Sequence, residues 1–140
     1  MKYTARPRKK ISAPMRWLVD NGHIRANTKC LDFGSGRGFD AQALGMDAYD
    51  PEWGPFSYQH GYDIITCHYV LNILDDKQMI EAVHNITSAL NHLGTAFVSV
   101  RRDIPRRGAK GLGCRQRYVT LPFHLLVENS NFAIYTWIKV

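Results

Sequence analysis

Glycines fall at positions 34, 36 and 38 in the stretch Lys29-Cys-Leu-Asp-Phe-Gly-Ser-Gly-Arg-Gly38, and Asp50 stands sixteen residues beyond Gly34. These residue types at this spacing can hold a nucleoside. Glycine tolerates positive φ and lets a ligand come close to the main chain. A helix starting near Gly38 turns free N–H groups toward the gap, and a carboxylate ending a second strand can accept both hydroxyls of a ribose. Asp32 narrows the choice. The pattern is G-x-G-x-G rather than the G-x-G-x-x-G that packs main chain on a pyrophosphate. A carboxylate beside it repels phosphate and attracts an ammonium or sulfonium group.

The second constellation is Tyr62-Asp-Ile-Ile-Thr-Cys-His-Tyr-Val-Leu-Asn-Ile-Leu74. A continuous apolar run of this kind fits a central parallel strand buried on both faces. Ligands in such sheets gather beyond the carboxyl ends of the strands, which here means Cys67, His68, Tyr69 and Asn72. His68 has two readings: a general base, since its reference pKa lies near neutrality, or a ring hydrogen-bonded to a backbone carbonyl.

The elements that must carry these residues follow from pattern. Ser12 as N-cap with Pro14 in the first turn predicts a helix over about 13–21, stopped by Gly22. A strand over 29–33, a short helix over 38–44 and a strand over 46–50 form a βαβ unit. Residues 51–62 carry two Pro and two Gly and form no regular helix. Asp75 and Asp76 cap a helix bearing Met79, Val83, Ile86, Leu90 and Leu93, ended by Gly94. A strand over 95–100, a basic loop over 101–117, a strand over 118–121, a short helix over 122–128 and a strand over 132–140 complete the chain.

At 140 residues this is one domain, 11–140, behind a basic arm, 1–10. No apolar run approaches membrane-spanning length and the basic start lacks a signal-peptide core, so a cytoplasmic location is expected. Three widely spaced cysteines argue against a disulfide framework and against zinc, and no metal site is expected. The net charge of +6 is uneven. Residues 1–10 carry five cations and no acid, and residues 101–117 carry seven cations against Asp103, leaving −5 elsewhere. Positive charge confined to two stretches fits contact with a polyanion, possible nucleic acid, or simple surface solubility.

Asp32 followed by G-x-G-x-G resembles the first motif of class I S-adenosylmethionine-dependent methyltransferases. Lys-Ile-Ser-Ala-Pro-Met-Arg-Trp-Leu, Tyr-Asp-Pro, Tyr-Val-Leu-Asn-Ile-Leu and Arg101-Arg-Asp extend the likeness to small bacterial and phage methyltransferases, some associated with DNA phosphorothioation genes. The resemblance implies a Rossmann-like α/β sheet, mostly parallel with a C-terminal antiparallel strand. Too few residues separate Asp50 from Tyr62 for the family's third strand, and a late helix is also lacking. S-adenosylmethionine would lie against Asp32, Phe33, Gly34, Ser35, Gly36, Gly38, Asp50, Pro51, Cys67 and His68. His68, Tyr69 and Asn72 would be the catalytic side chains, and Arg102, Arg106 and Arg107 the substrate contacts. Lys10, Ser12 or Arg16 would reach the methionine carboxylate, while Trp53, Phe56 or Tyr58 would stack on adenine or plug the sheet edge. Asn/Asp-Pro-Pro-Tyr/Phe, which amino-group DNA methyltransferases use to hold a flipped base, is absent from the segment 62–74. The rival readings are a binding module without transferase activity and, disfavoured by the glycine spacing, an NAD-dependent dehydrogenase.

Overall fold

The computed structural model describes residues 7–111 and 114–140; the arm expected over 1–10 lies outside the described residues as far as residue 6. The elements, in order, are α1 (Ala13–Asp20), β1 (Cys30–Phe33), α2 (Phe39–Leu44), β2 (Asp47–Tyr49) and β3 (Tyr62–His68). There follow a 3-10 turn (Leu71–Ile73), α3 (Asp76–Ala89), β4 (Leu90–Arg101), β5 (Ala109–Gly111), β6 (Cys114–Gln116), β7 (His124–Glu128) and β8 (Phe132–Ile138). Six strands form one sheet in the order β2-β1-β3-β4-β8-β7, with β5 and β6 as a separate pair. The β2-β1-β3-β4 half is parallel, and β8 runs antiparallel to both β4 and β7. Among the described residues no strand lies beyond β2, so the reduced edge expected from the short interval after Asp50 is found.

Alternation along the central strands divides the core into two layers. Ile64, Phe97 and Ile134 point to one face, where Met15 and Leu18 of α1 cover them. Ile65, Cys67, Val98 and Tyr135 point to the other, under Ala82 and Ile86 of α3. In α2 the buried apolar residue is Ala41, whereas Ala43 is exposed. Among the described residues no helix is long and apolar enough to cross a membrane.

Four elements differ from expectation. The helix bearing Met79 ends at Ala89 rather than at Gly94, and Leu90 begins β4 without a loop. Donors from elsewhere capture its last carbonyls: Lys139 Nζ reaches the Ser88 and Leu90 carbonyls, and the Gly61 N–H reaches that of Ala89. In place of the helix expected over 122–128, strand β7 runs over His124–Glu128, and Asn129 accepts the Asn131 and Phe132 amides through its side chain and turns the chain back into β8. Residues 118–121 form no strand. The basic interval at 101–117 contains the β5–β6 hairpin, with Lys110 directly opposite Arg115.

Candidate active site

The carboxyl ends of β1, β2, β3 and β4 open on one side of the sheet into a cleft of about 640 Å³, lined by Asp32, Gly34–Gly36, Asp50, His68, Tyr69 and Asn72 among others. The glycine turn is shaped by its own backbone. Gly34, Gly36 and Gly38 have φ of 81°, 57° and 85°, and the Gly34 and Ser35 amides both donate to the Tyr49 carbonyl. A Cβ at Gly34 would collide with the Val70 side chain. The turn leaves room for no side chain there.

Register aligns the polar groups behind the cleft. Asp32 lies opposite Thr66 across β1 and β3, so the Thr66 hydroxyl donates to Asp32 Oδ1 at 2.9 Å. Burial pushes the Asp32 carboxyl up to about 7, Asp40 and Asp50 add to the rise, and the Thr66 bond opposes it. His68 lies opposite Ser99 across β3 and β4, and its Nδ1 pairs with the Ser99 hydroxyl at 2.8 Å. His68 as a residue is half-buried, but its Nε2 is sealed from solvent without a partner. Desolvation lowers its pKa to about 4, so the ring is neutral at pH 7. The pairing with Ser99 takes the place of the backbone carbonyl bond considered from sequence. Tyr69 follows with φ of 61°, a left-handed residue that turns the chain so that Asn72 returns to the cleft wall.

Asp50 is occupied in a way that spacing did not reveal. Its Oδ2 accepts the Gly36 amide at 2.7 Å, and its Oδ1 accepts the Glu52 and Trp53 amides at 2.8 and 2.9 Å. Three of roughly four acceptor positions on this carboxylate hold protein backbone. Asp50 therefore joins the glycine turn to the turn after β2, and one lone-pair direction remains for a ligand hydroxyl.

Asn72, 1% exposed, gives its amide N–H to Gln116 on β6, while its backbone carbonyl accepts the Arg117 amide. Its Oδ1 is buried and unpartnered, as is the Ser35 hydroxyl. Pro51 also lines the cleft. Cys67 and Phe33 do not, being packed in the core under α3. Cys67 was expected in the turn after β3, but the strand runs one residue past it and turns its side chain inward. Gly38 stands behind the lining residues as the left-handed start of α2.

The aromatic residues after Asp50 divide between the two roles considered for them. Trp53 lines the cleft with the Arg37 guanidinium 4.4 Å from its ring centre, whereas Tyr58 packs on Phe33 and Tyr49 at the sheet edge. Phe56 is exposed. Ser12 does not cap α1 with its side chain. Its hydroxyl and amide both donate to Asp40, at 2.6 and 2.9 Å, and Arg16 stands near Asp20 on the surface.

Arg102 is a correction. Its side chain is buried, and it donates to Glu128, the Val119 carbonyl and the Tyr135 hydroxyl. A guanidinium with these partners is part of the framework and cannot meet a substrate. Arg106 and Arg107 are exposed and lie away from the cleft lining. Arg101 does line it, paired with Asp103 at 2.7 Å; charge density in the sequence does not separate it from its neighbours.

Solved methyltransferases share this fold. The 1,6-didemethyltoxoflavin-N1-methyltransferase of Burkholderia thailandensis, solved with 1,6-didemethyltoxoflavin and S-adenosylhomocysteine, gives a TM-score of 0.65 at 15% identity, over 91% of this chain and 78% of its own. TehB from Haemophilus influenzae gives 0.63 at 14%, over 94% of this chain and 63% of its own. PigF, solved with SAH, gives 0.66 at 13%, over 91% and 55%. The chain thus spans under two thirds of TehB and little more than half of PigF. At these identities the likeness is one of fold. The sequence matches no family model and no curated protein.

Proposed function

We propose that the protein is an S-adenosylmethionine-dependent methyltransferase that works in this cleft. The observation that carries the reading is the placement of unsatisfied polar atoms. Ser35 Oγ, His68 Nε2 and Asn72 Oδ1 are each buried without a partner, and all three residues line the same cleft. Buried polar groups are normally hydrogen-bonded, and three orphans converging on one space imply a polar ligand that satisfies them. The glycine turn that excludes a side chain at Gly34 supplies the close backbone approach, and Asp32 supplies an anion for a cationic group. That this fold carries S-adenosylhomocysteine in the Burkholderia enzyme and SAH in PigF supports the choice of ligand.

The cofactor supplies a methyl carbon on a sulfonium, which passes to an acceptor as the C–S electron pair returns to sulfur. The chain's own part is alignment and charge. Asp32 holds the ammonium end, becoming ionised as it does so, and Asp50 fixes the turn and offers its last lone pair to a ribose hydroxyl. Neutral His68 lies at the cleft wall with Nε2 buried and unpaired, the atom that would take a proton from an acceptor brought against it, and its ring is held by Ser99. Asn72 Oδ1, fixed by Gln116, accepts from an N–H or O–H of the incoming group.

Titration calorimetry tests this with S-adenosylhomocysteine, S-adenosylmethionine and NADH in turn. Micromolar binding of the first two and none of the third is the expected result. Failure of both sulfur nucleosides to bind would remove the assignment. Cofactor binding without methyl transfer to any component of a nucleic-acid and lysate pool would leave the binding-module reading in its place.

A further inference from the structure

The seven cations of residues 101–117 are sorted by the fold into two groups. Arg101 is paired with Asp103, Arg102 is buried on Glu128, and Arg117 binds Asp76 and the Leu74 carbonyl. Arg106, Arg107, Lys110 and Arg115 are exposed, and none of them has an ion pair among the described residues. The sequence holds no carboxylate between Asp103 and Glu128 that could reach them locally.

These four charges are held close together by structure. Lys110 and Arg115 face each other across the β5–β6 pair, an arrangement of like charges that destabilises a two-stranded ribbon. Arg106 sits 5.0 Å from the Tyr118 ring centre, which Arg102 also approaches, at 4.4 Å. The Arg115 guanidinium donates to the Arg107 carbonyl, bringing these two residues together. Repulsion of this kind is relieved by an anion that bridges the cations, and three of the four are arginines, whose forked donors match phosphate oxygens.

The hairpin is also tied to the cleft. Gln116, next to Arg115 on β6, is buried, lines the cleft and holds the amide of Asn72. Arg8 lines the same cleft, followed by exposed Lys9 and Lys10. The cleft is thus joined to the hairpin through Gln116 and carries a cation of the 1–10 stretch in its own lining.

We propose that the β5–β6 hairpin captures the phosphodiester backbone of a nucleic acid, laying the strand across the cleft mouth so that one nucleotide enters toward Asn72. The second half of this statement rests on the methyltransferase reading; the first does not. Several phosphate contacts from one cluster suit a polymer, and a surface of exposed arginines and lysine without an ion pair among the described residues is the electrostatic footprint of such binding.

Fluorescence anisotropy on the full chain tests it, with a labelled 20-nucleotide single strand and its duplex as probes and polyglutamate as competitor, from 25 to 200 mM NaCl. The wild type is expected to bind with a steep salt dependence. The combined Arg106→Ala, Arg107→Ala, Lys110→Ala, Arg115→Ala variant should lose at least about tenfold in affinity at low salt and flatten the log–log slope by about 2 to 3. Its affinity for S-adenosylhomocysteine should be unchanged, which also shows that it folds. Lys110→Glu, which sets opposite charges across the rung, should weaken oligonucleotide binding while raising Tm. No binding by the wild type, the same slope in the variants, or polyglutamate displacing the oligonucleotide at equal charge would overturn the proposal. Oligonucleotide binding without S-adenosylhomocysteine binding would leave the hairpin's role standing and sink the methyltransferase reading instead.

Discussion

Asp32→Asn separates stability from ligand binding. The substitution keeps the shape of the side chain and an oxygen for the Thr66 hydroxyl. Ionising Asp32 in the folded protein is costly, because burial pushes its carboxyl up to about 7 from the ordinary 3.8. At about 1.4 kcal/mol per unit, the ceiling on this cost is about 4 kcal/mol. The folded state holds the Asp32 proton across that window while the unfolded chain has lost it, so stability from this residue falls as pH rises from about 4 to 7. His68 acts in the opposite direction. Its pKa is lowered from 6.5 to about 4, so its contribution rises between those values. The two nearly cancel in the wild type up to pH 6.5, which is why the difference between wild type and variant must be read.

Urea unfolding of the ligand-free proteins at pH 4, 6 and 8 makes the measurement. Asp32→Asn should be as stable as wild type at pH 4 and more stable by about 2–4 kcal/mol at pH 8. Calorimetry should show its affinity for S-adenosylhomocysteine reduced about 10- to 100-fold, the loss of one charge-assisted bond. Wild-type affinity should itself weaken below pH 7 as the carboxylate becomes protonated. A pH-independent difference between the two proteins would refute the buried, costly carboxylate. Unchanged affinity would refute its role opposite a cation.

Gly34→Ala forces a Cβ into Val70 at a left-handed φ of 81°, so it should destabilise the protein by at least about 1–2 kcal/mol and abolish nucleoside binding; pairing it with Val70→Ala should restore only part of either, as unfolding and calorimetry will show. Asp50→Asn turns one acceptor oxygen into a donor facing backbone amides, with an expected stability cost of about 1–3 kcal/mol by thermal unfolding. Arg102→Ala should cost about 3 kcal/mol by leaving the Tyr135 hydroxyl and Val119 carbonyl without their donor, whereas Arg106→Ala should leave Tm within a degree or two.

What was legible in the sequence was whatever depends on neighbours along the chain. The glycine turn, the apolar run that begins at Tyr62, the cap at Asp75 and the interval too short for a strand after Asp50 are all local facts, and each appears in the fold. Two of the failures have the opposite character. Helix α3 stops early because Lys139, fifty residues on, takes its carbonyls. Arg102 looked like its basic neighbours until Glu128 and Tyr135 buried it. The orphaned oxygens of Ser35 and Asn72, which mark the cleft most clearly, are defined by missing partners, and no spacing rule detects those.

The three amides gathered on Asp50 have a bearing on how this protein tolerates change. Because one carboxylate anchors both the Gly36 turn and the Glu52–Trp53 turn, the two loops form a single mechanical part. Substitutions in one will not have separable effects from substitutions in the other, and their energies will fail to add. Libraries that vary residues 34–38 and 50–53 together will therefore report couplings between the two loops that libraries confined to one of them miss.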